Sequence, residues 1–235
     1  MNKLKSLVSY FSIFEIILWA TSVALIVVSY FLFQGQNVYS MLLSLVGVTA
    51  LIFCAKGNPI GQALCIVFGA FYGYVSYTFS YYGEMITYLG MSVPMAITSL
   101  ITWLKNPFND NKSEVTVNKI KGKELLLLPL LTLTVTFSFY FILRALNTAN
   151  LVVSTVSIAT SFTAVYLTMR RSPFFAIAYA INDIVLIVLW IMASMVNVSY
   201  VSIVVCFSVF FINDVYGFIN WLRMEKRQNK EKIGK

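Results

Sequence analysis

The sequence has no histidine, only 3 cysteines, and few charged residues. Without histidine, a His general acid or base is excluded, and so is the commonest zinc ligand. Cys54, Cys65 and Cys206 all lie in apolar stretches with no CxxC spacing, so they read as small packing residues, neither disulfides nor metal ligands. Only 11% of residues are charged against 59% hydrophobic, where a soluble domain is about a quarter charged. Lipid is the solvent that fits such a chain. No polar segment is long enough for a second domain, and the 235 residues read as one membrane domain. The basic start followed by an apolar run from about Ile13 to Phe33 is signal-like, but no A-x-A-like site follows it. A retained helix is expected there.

What the chain has in place of charge is long apolar runs. They predict an all-α integral membrane fold of eight transmembrane helices, near 13–33, 38–55, 61–80, 85–104, 124–144, 150–169, 173–195 and 199–222. The connections are short except for the polar 105–123, which contains Pro107 and five lysines. Positive charges check the count. With the N-terminus inside, one face holds Lys3, Lys5, Lys56, the five loop lysines, Arg170, Arg171 and the basic tail at 223–235, and the other holds only Arg144. Both termini are therefore expected in the cytoplasm. The net charge of +8 is explained by the same placement. These residues orient the chain and meet anionic lipid; they form no single patch for nucleic acid.

The second to fourth spans resemble the sixth to eighth. Asn37 and Asn150 open matching spans, Pro59 and Pro173 follow matching basic turns, and Trp103 and Trp221 close matching helices with a basic residue two positions on. The offsets are nearly constant at 113, 114 and 118 residues. This predicts a 1+3+1+3 layout: an extra helix at 13–33, a triplet at 38–104, a loop at 105–123, a linker helix at 124–144 and a second triplet at 150–222. Parallel repeats of this kind are a transporter signature, with the binding site between repeats near the midplane.

Deep polar side chains are the candidates for that site, because they are costly in lipid unless they face a cavity or one another. Asn182 and Asp183 lie about 14 Å along the seventh span, and Asn213 and Asp214 lie at the same depth in the eighth. Aromatics share their faces: Trp190, Tyr216 and Trp221 there, and Phe68, Phe71, Tyr72 and Tyr74 on the third span. Aromatic faces with amides and carboxylates suit a planar, cationic ring attached to a hydroxylated group; polar glue between helices is the competing reading. Gln62, at the mouth of the third span, either lines a gate or caps a helix. Gly69 and Gly73 read as a close-packing face, Pro94 and Pro129 as kinks, Trp19 and Trp103 as interfacial anchors, and Glu15 as an acid favouring a helix start. An aspartyl intramembrane hydrolase and a non-transporting scaffold remain alternatives.

The run Lys56-Gly57-Asn58-Pro59-x-Gly61-Gln62, then Tyr72-Gly73-Tyr74 and Tyr82-Gly83-Glu84, with Asn182-Asp183 and Tyr216-Gly217-x-x-x-Trp221 later, resembles the PnuC family of vitamin transporters over about residues 38 to 224. The resemblance implies a SWEET-like fold and import of nicotinamide riboside by facilitated diffusion. It further implies trapping by cytoplasmic phosphorylation, with no cofactor, and a homotrimer in a bacterial inner membrane. It would place Asn182 and Asn213 on the solute's ribose or carboxamide and Tyr216, Trp190 and Phe71 on its ring, with Asp183 and Asp214 orienting the amides or balancing charge; Gln62, Tyr72 and Trp221 complete the expected site. The family pattern often has an aromatic where this chain has Asn213, and related carriers of thiamine, riboflavin or a sugar are the alternative.

Overall fold

The computed structural model describes residues 10–35, 37–78 and 82–234. Eight helices among them are long and apolar enough to cross a membrane, and the chain is a multi-pass membrane protein. They are α1 (Ile13–Leu32), α2 (Val38–Ala55), α3 (Pro59–Thr78), α4 (Tyr82–Leu104), α5 (Glu124–Ala145), α6 (Leu151–Met169), α7 (Phe174–Ser194) and α8 (Val201–Ile233). The expected end of the third span at 79–80, and the charges Lys3, Lys5 and Lys235, lie outside the described residues.

Local chemistry sets the helix starts. Ser12 and Glu15 form a capping box on α1, and the Asn37 side chain accepts from the Tyr39 N–H at 2.9 Å to cap α2. Asn150 differs from Asn37: it sits in the left-handed region and makes no side-chain cap bond. Asn58 accepts from the Ile60 N–H, and Pro59, which has no N–H to lose, opens α3. Pro94 follows a π-helical stretch, Thr87–Ser92, within α4, where its missing donor leaves the normal ladder one bond short. Pro129 sits inside an unbroken α5. Gly69 and Gly73 face Val93 and Leu89 of α4, where a β-carbon on Gly73 would lie 2.5 Å from the Leu89 side chain. Their absence of side chains lets the two helices approach closely.

Six helices close a ring. In order of contact it runs α2, α3, α4, α6, α7, α8 and back to α2, with α1 packed outside on α2 and α8 and α5 packed outside on α6. Two reciprocal bonds tie neighbouring helices at its basic end. The Trp103 indole at the end of α4 donates to the Thr168 carbonyl of α6 at 2.9 Å, and the Trp221 indole of α8 donates to the Cys54 carbonyl of α2 at 2.8 Å. Each carbonyl also accepts from the following turn, Thr168 from the Arg171 N–H and Cys54 from the Gly57 N–H. The two rings meet at 5.5 Å between centroids and both are fully buried, so Trp103 is a core residue and no interfacial anchor.

The connection at 105–123 is more ordered than a polar loop requires. It forms an antiparallel hairpin of β1 (Pro107–Phe108) and β2 (Asn111–Val115), then crosses the basic end of the ring. The Val115 N–H donates to the Gly57 carbonyl and the Asn118 N–H to the Arg171 carbonyl, both at 3.0 Å. The accepting residues occupy matching left-handed turn positions, φ 66° and 57°. The sequence expectation of a helix ending at 222 with a basic tail is corrected, since α8 continues to Ile233. Hydropathy marks where apolar solvent ends, whereas here polar partners carry the helix further. Gln228 bonds the backbone of Val115 and Val117, Glu225 pairs with Lys119 at 2.8 Å, and Arg227 pairs with Glu114.

Trp221→Phe keeps an aromatic ring in place and removes only the indole donor. It is expected to lower unfolding stability by about 1 kcal/mol, read as a drop of a few degrees in Tm in detergent; an unchanged Tm would show that the bond contributes nothing.

Candidate functional site

Asparagine and aspartate adjacent on a helix point about 100° apart, so one side chain facing the ring interior forces its neighbour aside. In α7 and α8 the aspartates face inward. Asp183 and Asp214 lie within hydrogen-bonding reach of each other, with Asp183 Oδ2 buried and without a partner. The asparagines diverge. Asn182 turns to α6, where its Oδ1 accepts from Thr160 Oγ1 at 2.7 Å, Ser161 Oγ at 3.0 Å and Ser157 Oγ at 3.4 Å. Its amide N–H groups have no acceptor among the described residues, so they are free to bond a ligand. Asn213 turns the other way: its Nδ2 donates to Ser22 Oγ of α1 at 3.0 Å and to the Val209 carbonyl.

Within the ring lies an inner cavity of about 170 Å³, lined by α2, α3, α4, α6, α7, α8 and the end of α5. Asn182, Asp183, Asp214 and Gln62 contribute polar groups, and Phe68, Tyr88, Tyr179, Phe207 and Phe210 contribute rings. Gln62 is buried and donates to Cys54 Sγ at 3.2 Å. A second cavity of about 400 Å³ lies toward the end of the bundle away from the basic turns, lined in part by Tyr30, Tyr72, Trp190 and Tyr200. The two share Gly83, Glu84, Thr148, Ser154 and Leu189, which form a neck. No lysine or arginine lines either cavity among the described residues.

The structure thus brings Asn182, Asp183, Asp214 and Gln62 to one chamber, and Tyr72 and Trp190 to the other. It does not bring Asn213, Tyr216, Trp221 or Phe71 to either, which corrects the expected position of those four. Asn213 is 2% exposed, behind the chamber wall and against α1. The Tyr216 hydroxyl donates to Glu15 Oε1 at 2.8 Å, and Glu15, itself 2% exposed, also pairs with Lys56 at 3.1 Å. The two α8 side chains therefore hold α1 to the ring, and Glu15 is a buried ion-pair partner and not merely a favourable acid at a helix start. Trp221 belongs to the core with Phe175, and Phe71 is 59% exposed on the outer face of α3. Sequence reading missed the hydroxyl stripe of α6. Ser154, Ser157, Ser161 and Thr168 follow helical spacing and all line the inner chamber, a signal present in the polar periodicity of that span.

Removing both α1 contacts, with Asn213→Ala and Tyr216→Phe together, is expected to speed backbone amide exchange in α1 by about tenfold while exchange in α7 stays unchanged. Equal acceleration in both helices would show that these residues support the chamber itself.

The chain is similar to known membrane transporters. The family model described as nicotinamide mononucleotide transporter matches residues 37–223. The nicotinamide riboside transporter PnuC of Neisseria mucosa is 26% identical over 204 residues, covering 85% of this chain and 77% of that protein. That of Haemophilus influenzae is 22% identical over 191 residues, covering 81% of each. A crystal structure of the vitamin B3 transporter PnuC superposes with a TM-score of 0.78 at 23% identity, over 93% of this chain and 94% of that one.

Proposed function

The chain belongs to the nicotinamide mononucleotide transporter (PnuC) family, and from that premise we propose that its solute is nicotinamide riboside, taken up without its phosphate. The observation that carries this reading is the charge of the path. Carboxyl, amide, hydroxyl and aromatic groups line both chambers, and among the described residues no basic side chain does. A phosphate monoester would bring about two negative charges into a low-dielectric path whose carboxylates, Glu84, Asp183 and Asp214, repel them and which offers no arginine or lysine among the described residues. A riboside brings one positive charge, on the ring, which carboxylates and aromatic faces stabilise. In the proposed pose, the free amide N–H groups of Asn182 bond the ribose or carboxamide, Gln62 adds a second amide, and Asp183 and Asp214 balance the ring charge. Trp190 and Tyr72 receive the ring in the outer chamber.

The transport step fits facilitated diffusion followed by phosphorylation inside the cell, which traps the solute. Two like-oriented triplets, α2–α4 and α6–α8, would rock about the tryptophan pair, and the reciprocal indole bonds and matching turns support reading them as repeats. The basic end would face the cytoplasm of an inner membrane, and the family reading carries an expected homotrimer surrounded by anionic lipid.

Counterflow of labelled nicotinamide riboside into proteoliposomes, with no ion gradient, tests the reading. Uptake is expected, with competition by unlabelled riboside and none by the mononucleotide. Asn182→Ala is expected to weaken riboside binding about tenfold, equivalent to about 1.4 kcal/mol. Equal competition by the mononucleotide would overturn the choice of solute.

A further inference from the structure

Among the described residues, Glu84 is the one carboxylate that lines both chambers. Asp183 and Asp214 face each other within the inner chamber, whereas the Glu84 carboxylate has neither a hydrogen bond nor an ion pair among the described residues. Glu84 lies in the first turn of α4, where the helix start favours an acid, and a carboxylate there that lines two cavities with no side-chain partner is available to a passing positive charge.

Its surroundings form a passage. Gly83, beside it, brings α4 against the α5–α6 turn, and a β-carbon there would lie 2.6 Å from Thr148 Oγ1. That hydroxyl is buried without a partner at the same neck. One turn on from Glu84, Tyr88 sits 4.4 Å between centroids from Tyr72 and 6.0 Å from Phe68. Tyr72 belongs to the outer chamber and Phe68 to the inner, so this cluster spans the neck. The π-helical turn that begins at Thr87 widens α4 directly after Glu84, and such turns are frequent at functional sites.

We propose that Glu84 is a specificity-determining residue of the neck, pairing with the positively charged ring as it passes between the chambers, and so favouring a cationic riboside over a neutral one of the same shape. The inference rests on the transport reading above and adds to it the basis of charge selection. A full positive charge moving past these aromatic faces gains cation–π attraction, and a single carboxylate between the chambers supplies the counter-charge that water cannot.

The discriminating pair of probes is nicotinamide riboside and its reduced dihydro form, which keeps the ribose and carboxamide and has no ring charge. Initial uptake of each into proteoliposomes is compared for the native chain, Glu84→Gln and Glu84→Asp. The ratio of cationic to neutral uptake is expected to fall about tenfold in Glu84→Gln and to recover in part in Glu84→Asp. A parallel Tm measurement identifies loss of fold. If Glu84→Gln slows both probes alike, or slows neither, the residue does not select by charge and the proposal is overturned while the transport reading stands. Uptake of neither probe by the native chain would overturn both together.

Discussion

A helix that ends inside an apolar medium leaves carbonyls with no water to bond, and the chain has to supply the donors itself. At the basic end of this ring the donors are two indoles. Trp103 reaches from α4 to the last turn of α6 and Trp221 from α8 to the last turn of α2, each adding a side-chain bond to a carbonyl that already accepts from its own turn. Because each tryptophan satisfies the neighbouring helix of the other half, neither half of the ring can finish its helix ends alone. The rings then pack on one another and fill the axis. What lies beyond them is a chamber closed at one end, and the hairpin and the extended α8 cover that closure from outside through bonds to Gly57 and Arg171.

That closed end gives the proposed transport cycle its geometry. The larger cavity lies on the side away from the basic turns, and only the neck at Glu84 separates it from the inner chamber. A solute entering from that side meets aromatic rings and one carboxylate first, then Asn182 and the aspartate pair, and finally the tryptophans. To release it at the basic end in the proposed cycle, the indole bonds would have to give way together, since each holds a helix of the other half. Rigid rocking of two triplets is the motion such crossed bonds suit, and a single loop moving aside would not open them.

Hydropathy and charge made the eight helices legible, because a bilayer demands long apolar runs and the basic residues gather at their ends. The depth of the polar residues in α7 and α8 was legible as well, by counting from the turns. Direction was not. Asn182 and Asn213 sit at one depth, yet each shares its helix with an inward aspartate, and the helical step of about 100° sends the two amides to opposite sides. No feature of one sequence says which member of an Asn-Asp pair faces in. Trp221 carried the same ambiguity, since an aromatic near a helix end stacks on a solute, anchors at an interface or seals a core with equal chemistry. The extension of α8 past residue 222 was hidden for a different reason. It depends on Gln228 and Arg227 finding the hairpin more than a hundred residues away.

A buried polar residue is usually assigned to glue or to site by how deep it lies, and here depth does not separate the two. Bonding capacity left facing a cavity does. The Asn213 amide spends its N–H groups on Ser22 and Val209, and Tyr216 spends its hydroxyl on Glu15; both fasten a helix that lines none of the inner chamber. Asn182 has its oxygen saturated three times over and its N–H groups unspent, Asp183 keeps an oxygen without a partner, and Glu84 is unpaired at the neck. These three border the cavities, whereas Asn213 Oδ1, also buried without a partner, lies behind the chamber wall where no solute reaches it. A membrane makes this distinction sharp: water would satisfy such groups at a surface, whereas inside a bundle only a helix or a solute can.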